Sequence, residues 1–254
     1  MGRMLIRAIV EAKDLELAGA VEHAAHPLLG KDAGLVAELG PLALAIGGDL
    51  KAALAAADVV VDFTTPQATV KNLDHYRAAG IPLVIGTTGF SAEERERVTE
   101  AASSLPIVLS ANMSLGVNLL AELVEQAARA LPLEYNAELV ELHHRLKRDA
   151  PSGTAILLGE AVARGRNTIL AKHAVYGRSG EAGERPNDEI GLHALRGGDV
   201  IGDHTVYFLG PDERIELSHR ASTRQTFAQG ALVAARWLVD RSAGLYSMKN
   251  VLGL

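Results

Sequence analysis

The stretch VVVDFTTPQATVKNLDHYRAAGIPLVIGTTGF, Val59–Phe90, decides how this chain is read. Its ends, VVVDF (Val59–Phe63) and IPLVI (Ile81–Ile85), are short, apolar and bounded by turn residues, as strands buried on both faces should be. Between them Gln67–Ala79 reads as a helix. Strand, helix, strand makes a βαβ unit, in which a right-handed crossover joins two parallel strands. Working outward, Leu15–Val21 (LELAGAV) and Ile107–Ser110 (IVLS) read as further strands of the same kind. Asp49–Ala57 and Ala92–Ser103 read as helices, the latter opened by Ser91 with Glu94 three residues on, a capping box. The first half is therefore expected to be α/β, a Rossmann-like parallel sheet.

Beyond Asn112 the pattern changes. A helix is expected over Val117–Leu131, with Leu119, Leu120, Leu123, Val124, Ala127 and Leu131 on one face. Strands Ala137–Leu142, His204–Leu209 and Arg214–His219 follow, joined by long glycine-rich and polar connections. This is a smaller α+β pattern. The last helix, Phe227–Asp240, is apolar on one side and is expected to return to the first domain. The division is thus residues 1–114 with 224–254, and residues 115–223.

The 254 residues carry a net charge of -6 and 48% hydrophobic residues, which reads as soluble and globular and gives no nucleic-acid surface. There is no cysteine, so disulfide and thiolate chemistry are excluded, and the nine histidines show no HExxH spacing, so no metal is expected. No apolar run approaches the ~20 residues that span a bilayer, and the start lacks the pattern of a secretory signal. A cytoplasmic protein, without membrane or nucleic-acid partners, is the expectation.

Ligands of open α/β sheets bind at the carboxyl ends of the strands. Three loops lie there: Asp62–Pro66, Gly86–Gly89 and Ser110–Met113. Each is ordinary turn chemistry taken alone, but three in register suit a dinucleotide. Glu22, after Leu15–Val21, stands where an acidic side chain can bond an adenosine ribose. In the second domain the run ELHHRLKRDAPSGTA, Glu141–Ala155, delivers His143, His144 and Lys147 to one connection before Ser152-Gly153-Thr154 opens a helix. Free amides at a helix N-terminus favour a carboxylate or phosphate, and the basic Arg145, Lys147 and Arg148 add charge. A histidine near its ordinary range and a partly desolvated lysine can exchange protons at neutral pH. On chemistry alone another reading stays open, in which the histidines alternate in and out of a sheet, Lys147 and Arg148 are solvated, and Ser152 is only a cap.

The segments VVVDFTTPQ, VIGTTGF, SANMSLGVN, ELHHRLKRDAPSGTA, RGGDVIGDHTVYF and ELSHRAS closely resemble those of the dihydrodipicolinate reductases, in order along the whole chain. The resemblance implies a nicotinamide-binding Rossmann-like domain and an α+β domain that binds substrate and mediates a homotetramer. It implies reduction of a small cyclic dicarboxylate, 4-hydroxy-tetrahydrodipicolinate, to tetrahydrodipicolinate by NADH or NADPH in lysine and diaminopimelate biosynthesis. By the same resemblance His143 and Lys147 are the proton-transferring catalytic residues. His144, Ser152, Gly153 and Thr154 bind substrate, the amides of Gly153 and Thr154 holding a carboxylate. Gly86, Thr87 and Thr88 match the nicotinamide-side loop, and Ser110, Ala111, Asn112 and Met113 a second cofactor segment in which Met113 replaces a common phenylalanine. Glu22 matches the ribose-binding acid. His23 stands where some relatives carry an arginine suited to the extra phosphate of NADPH, which favours NADH.

One departure is conspicuous. Relatives begin with an apolar strand and a GxxGRMG loop, and Met1-Gly2-Arg3-Met4 aligns with the end of that loop, leaving Arg3 and Met4 as its cofactor-facing remnant. The strand and most of the phosphate-binding glycines are expected to be missing, with a start assigned a dozen or so residues late as the simplest explanation. The alternative function is a truncated, catalytically weak assembly partner of the same family.

Overall fold

The computed structural model describes residues 1–254. In chain order the elements are α1 (Gly2–Glu11), α2 (Ala33–Val36), α3 (Leu50–Leu54), β1 (Val60–Asp62), α4 (Pro66–Ala79), β2 (Leu83–Ile85), α5 (Ala92–Ala101) and β3 (Pro106–Leu109). They continue with α6 (Leu115–Ala130), β4 (Asn136–His143), α7 (Gly153–Gly165), α8 (Leu170–His173), β5 (Ala174–Tyr176), β6 (Ile190–Arg196), β7 (Asp203–Leu209) and β8 (Arg214–Arg220). The chain closes with α9 (Gln225–Leu238), β9 (Gly244–Tyr246) and α10 (Met248–Leu252). Two compact units result, Met1–Leu115 with Gln225–Leu254, and Gly116–Arg224. No helix is long and apolar enough to cross a membrane.

In the first unit β1, β2, β3 and β9 form a parallel sheet in that order. Its central strands, β2 and β3, are buried on both faces. Val84 and Val108 pack with Leu5 and Ala8 of α1 and with Ala231, Leu232 and Ala235 of α9. Leu83, Ile85 and Ile107 turn the other way, against Val70, Leu73 and Tyr76 of α4 and Val98 of α5. This is the doubly wound arrangement that continuous apolar runs require. Local chemistry sets the helix ends: Thr65 caps α4 through the Ala68 N–H, Gly80 ends it in the left-handed region at φ 66°, and Ser91 and Glu94 close the expected capping box on α5. Strand β9, supplied by the C-terminal segment, has only three residues and left no periodic signal to read.

Leu15–Val21 is not a strand. Only Val21 makes a bridge, to Gly47, with Glu22 N–H donating to Gly47 O at 3.0 Å and Gly47 N–H to Ala20 O at 2.9 Å. A strand needs a ladder on at least one side, and no segment lies alongside Leu15–Gly19 to provide one. The apolar side chains that suggested a strand serve the core directly: Leu15 packs with the α1/α9 cluster and Leu17 and Ala20 with a small cluster around Ile6 and Ile46.

The second unit is a five-stranded mixed sheet in the order β5-β6-β4-β7-β8. Strand β4 runs parallel to β6 and antiparallel to β7. Ala137, Leu139, Ile190, Leu192, Val206 and Phe208 form one face and pack with α6 and α7. The apolar face of α6 differs from the one expected: Val117, Leu120, Ala121, Val124 and Ala128 are buried, whereas Leu119 and Leu123 are 44% and 42% exposed. The helix crossing selects this stripe. A Cβ at Gly165 of α7 would stand 2.4 Å from Glu125 O and 2.7 Å from the Ala128 Cβ, so the two helices approach where their side chains are small.

Candidate active site

The chemistry of the second unit gathers at the carboxyl end of β4. Strand alternation puts Glu141 and His143 on the face that carries Ala137 and Leu139, so two polar side chains continue an apolar row. Glu141 is fully buried and makes four hydrogen bonds. Arg196, at the end of β6, donates to both its oxygens at 2.8 and 2.9 Å. The Ser152 N–H donates to Oε1 at 3.1 Å, and His143 Nδ1 bonds Oε2. Burial drives the Glu141 carboxyl toward its neutral form, but the bonds from Arg196 and His143 outweigh it, and the group lies below the usual carboxylate range. An ionised acceptor requires Nδ1 of His143 to carry a proton, which leaves Nε2 for chemistry. Burial also lowers the affinity of His143 for a second proton, an effect that Glu141 opposes only in part.

Ser152 joins this network to α7. Its Oγ caps the helix by accepting from the Ala155 N–H at 3.1 Å and lies 3.0 Å from Nε2 of buried His204, on β7. Burial holds the His204 imidazole neutral, down to about 4. The His143 and His204 rings meet edge to face with centroids 5.1 Å apart. Gly153 and Thr154 are the first residues of α7; Gly153 is exposed, and nothing lies within 4 Å of where its Cβ would stand.

His144, Lys147 and the loop between them leave the sheet. The His144 N–H donates to Val200 O at 2.7 Å, and Lys147 Nζ donates to both Asp149 oxygens at 2.8 Å. This bond holds the Asp149 carboxyl below its usual range. A groove of about 430 Å³ is lined by His144, Arg145, Leu146, Gly198, Asp199 and Arg224, with Arg224 3.3 Å from Nε2 of His144. The structure thus brings His143, Ser152, Gly153 and Thr154 around one helix N-terminus and sets His144 and Lys147 on the adjoining loop. Four contributors escaped sequence reasoning: Glu141, Arg196, His204 and Arg224. Glu141 alone had a local signal, being two residues from His143 in the same strand.

In the first unit the three predicted loops leave the carboxyl ends of β1, β2 and β3. Thr87 is buried and its hydroxyl accepts from the Thr64 N–H at 3.0 Å and lies 3.2 Å from Thr69 Oγ1, tying the first two loops together. Gly86 is needed because a Cβ there would stand 2.2 Å from the Phe63 ring. Thr88, Gly89 and Ala111 are exposed; Ser110 and Asn112 are half-buried. Met113 is 1% exposed and packs in the core, so its side chain fills the protein interior. Arg3 is exposed and Met4 half-buried on the first turn of α1, a helix whose N-terminus has no side-chain cap. Glu22 is half-buried and accepts from the His23 N–H at 3.0 Å, and the rings of His23 and His26 meet edge to face. Small exposed residues at the strand ends and the half-buried Glu22 carboxylate fit the nicotinamide and ribose parts of a dinucleotide.

Residues 1–113 match the family model described as dihydrodipicolinate reductase, N-terminus, and residues 116–252 match dihydrodipicolinate reductase, C-terminus. The chain is 50% identical over all 254 residues to a 4-hydroxy-tetrahydrodipicolinate reductase of Nitrosomonas europaea, covering 94% of that protein. It is equally similar, with the same coverage, to one from Anaeromyxobacter dehalogenans. Among solved structures, a dipicolinate-bound dihydrodipicolinate reductase from Paenisporosarcina sp. TG-14 superposes with a TM-score of 0.76 at 23% identity, over 98% of this chain and 94% of that one, and shares the fold.

Proposed function

The chain belongs to the dihydrodipicolinate reductase family, and on that premise we propose that this oxidoreductase reduces 4-hydroxy-tetrahydrodipicolinate to tetrahydrodipicolinate in lysine and diaminopimelate biosynthesis. The observation that carries the assignment beyond the family is the joining of an oriented histidine and a helix N-terminus by one buried carboxylate. Gly153 and Thr154 amides receive a substrate carboxylate, with His144 and Ser152 beside it. When bound, a nicotinamide nucleotide would supply hydride to the unsaturated ring, held by Arg3, Met4, Glu22, His23, Gly86–Thr88 and Ser110–Asn112, with Met113 behind them in the core. Before hydride arrives, His143 Nε2 takes a proton from the ring carbon beside the 4-hydroxyl and returns it to that hydroxyl, which leaves as water. The negative charge that hydride then places on the conjugated ring is stabilised by Lys147, which furnishes the proton that completes the product. Asp149 keeps the Lys147 ammonium in place until a dianionic substrate competes for it.

NADH is favoured over NADPH because His23 replaces a permanent cation where an extra phosphate would sit. The enzyme works in the cytoplasm as a homotetramer. Supporting self-association, the second face of the five-stranded sheet carries half-exposed Val140, Leu142 and Tyr207 and exposed Leu195, side chains suited to burial against another copy. The test is cofactor oxidation with substrate generated in place by the synthase that forms it, NADH and NADPH being supplied separately, with mass measured by light scattering. Turnover lost in both His143→Ala and Lys147→Ala supports the assignment; near-normal turnover in both refutes it. A folded protein that binds dipicolinate but neither nucleotide would instead be the assembly partner.

A further inference from the structure

Glu141 touches neither substrate nor cofactor in the reading above, yet its carboxylate makes four hydrogen bonds. It is 0% exposed in a row otherwise filled by Ala137 and Leu139, a position where an apolar residue would cost nothing in burial. Glu141, His143 and His204 bring ligand atoms within 4.8 Å of one another, a spacing that could admit a cation. The guanidinium of Arg196 covers both carboxylate oxygens, which excludes that use. What remains is a charge-compensated anchor. Its Oε2 faces His143 Nδ1 and its Oε1 faces the Ser152 N–H, the residue that caps α7.

We propose that Glu141 is the positioning residue of this site, one carboxylate that sets both the imidazole edge of His143 offered to substrate and the placement of the α7 amides that receive it. The inference rests on the reading of His143 as the proton-transfer group. Two further features make the anchor stiff. Arg196 is itself held, donating to Leu195 O at 2.6 Å and to Asp149 O at 2.7 Å, so the clasp also ties in the loop that carries Lys147. On the opposite side of the imidazole, Gly202 leaves no slack: a Cβ there would stand 2.9 Å from Nε2. The ring is thus gripped at Nδ1 and backed closely by Gly202, and its tautomer follows from the charge of Glu141. In Glu141→Gln the volume is kept, but an amide that donates to Nδ1 moves the ring proton to Nε2, the wrong tautomer for a group that must accept there.

The experiment uses the full chain labelled with nitrogen-15. Long-range proton–nitrogen correlation spectra report the tautomer of His143, identified by its loss in His143→Ala. Expected in the parent is a proton on Nδ1; a neutral ring protonated on Nε2 overturns the proposal, and this measurement needs no variant at Glu141 to fold. In Glu141→Gln the Nδ1 signal should vanish, kcat should fall about 10²-fold, and KM for NADH should change less than about twofold. A Glu141→Gln enzyme with the parental tautomer and turnover overturns the proposal even if it is less stable. His143→Ala separates the two levels: if it retains turnover, the reading of His143 fails and the proposal with it. If it loses turnover while Glu141→Gln does not, only the positioning role fails.

Discussion

Replacing Gly202 by alanine tests the geometry of the site with one methyl group. The built Cβ lies 2.9 Å from His143 Nε2, 3.4 Å from its Cδ2 and 3.6 Å from His204 Cε1. Carbon contacts are comfortable at about 3.5–4.0 Å, so the reactive edge of the imidazole must withdraw by roughly 0.6–1 Å. It cannot do so cheaply, because the other edge is bonded to Glu141 and Glu141 is clasped by Arg196. A misplacement near 1 Å can cost about 10²-fold in rate, so kcat should fall roughly 10- to 100-fold. The backbone of Gly202 is open to alanine, so the change is a steric probe. Overpacking costs about 1–3 kcal/mol and the lost glycine freedom returns about 0.5–1, leaving a net loss near 1 kcal/mol. For a chain of this size that is about 2–4 °C in Tm. Steady-state turnover with NADH and a thermal melt decide the matter. A folded alanine variant that turns over within about twofold of the parent refutes the reasoning, since the Nε2 edge could then be moved without consequence.

Three other expectations follow from the same packing. His204, driven down to about 4 by burial and by the charges of His143, His219 and Lys147 despite Glu141, is neutral in the fold. The unfolded chain therefore binds a proton between about pH 6.5 and 4 that the fold excludes, so stability falls as pH is lowered through that window, by about 3 kcal/mol at most. Denaturation midpoints measured from pH 7 to 4.5 should slope less in His204→Asn, and equal slopes contradict this. On the other face of the sheet, burial opposes the charge of Glu138 but bonds from Arg178, Arg185 and His193 hold its carboxyl at about 2. That contribution is complete above about pH 4.5 and is lost as pH falls toward 2, so Glu138→Ala should cost about 2 kcal/mol at pH 7 and distinctly less at about pH 3 in urea titrations. Finally, a Cβ at Gly230 would stand 1.7 Å from Met113 O, so Gly230→Ala must shift the backbone of α9 or of the β3 loop. A destabilisation of about 3 kcal/mol or more, seen as a lowered melt or insoluble expression, is expected.

The accuracy of the sequence reading varied with how local the determining physics is. Ser91 with Glu94 and Ser152 before Gly153 set helix starts within a few residues, and the structure places α5 and α7 there, while the helix expected over Gln67–Ala79 begins one residue earlier, at Pro66. Strands β2 and β3 were readable because burial on both faces demands unbroken apolar runs. Leu15–Val21 carries a similar composition and forms only one bridge, because pairing depends on a neighbour that composition does not report. In α6 two overlapping leucine stripes were available, and the tight crossing at Gly165 decided between them.

By itself, the sequence determined the family, the α/β class of the first half and the run from His143 to Thr154 as the place where chemistry concentrates. Each is written in residue types within a short window, where steric and hydrogen-bonding rules act locally. Only the tertiary structure decided which groups serve that run. Arg196 arrives from a parallel neighbour 55 residues away, and His204 from an antiparallel one 52 residues beyond Ser152. Their meeting at Glu141 depends on strand order and register, which side-chain identity does not encode. A buried carboxylate is tolerable only where an ion pair and hydrogen bonds converge on it, and convergence is a property of the folded sheet.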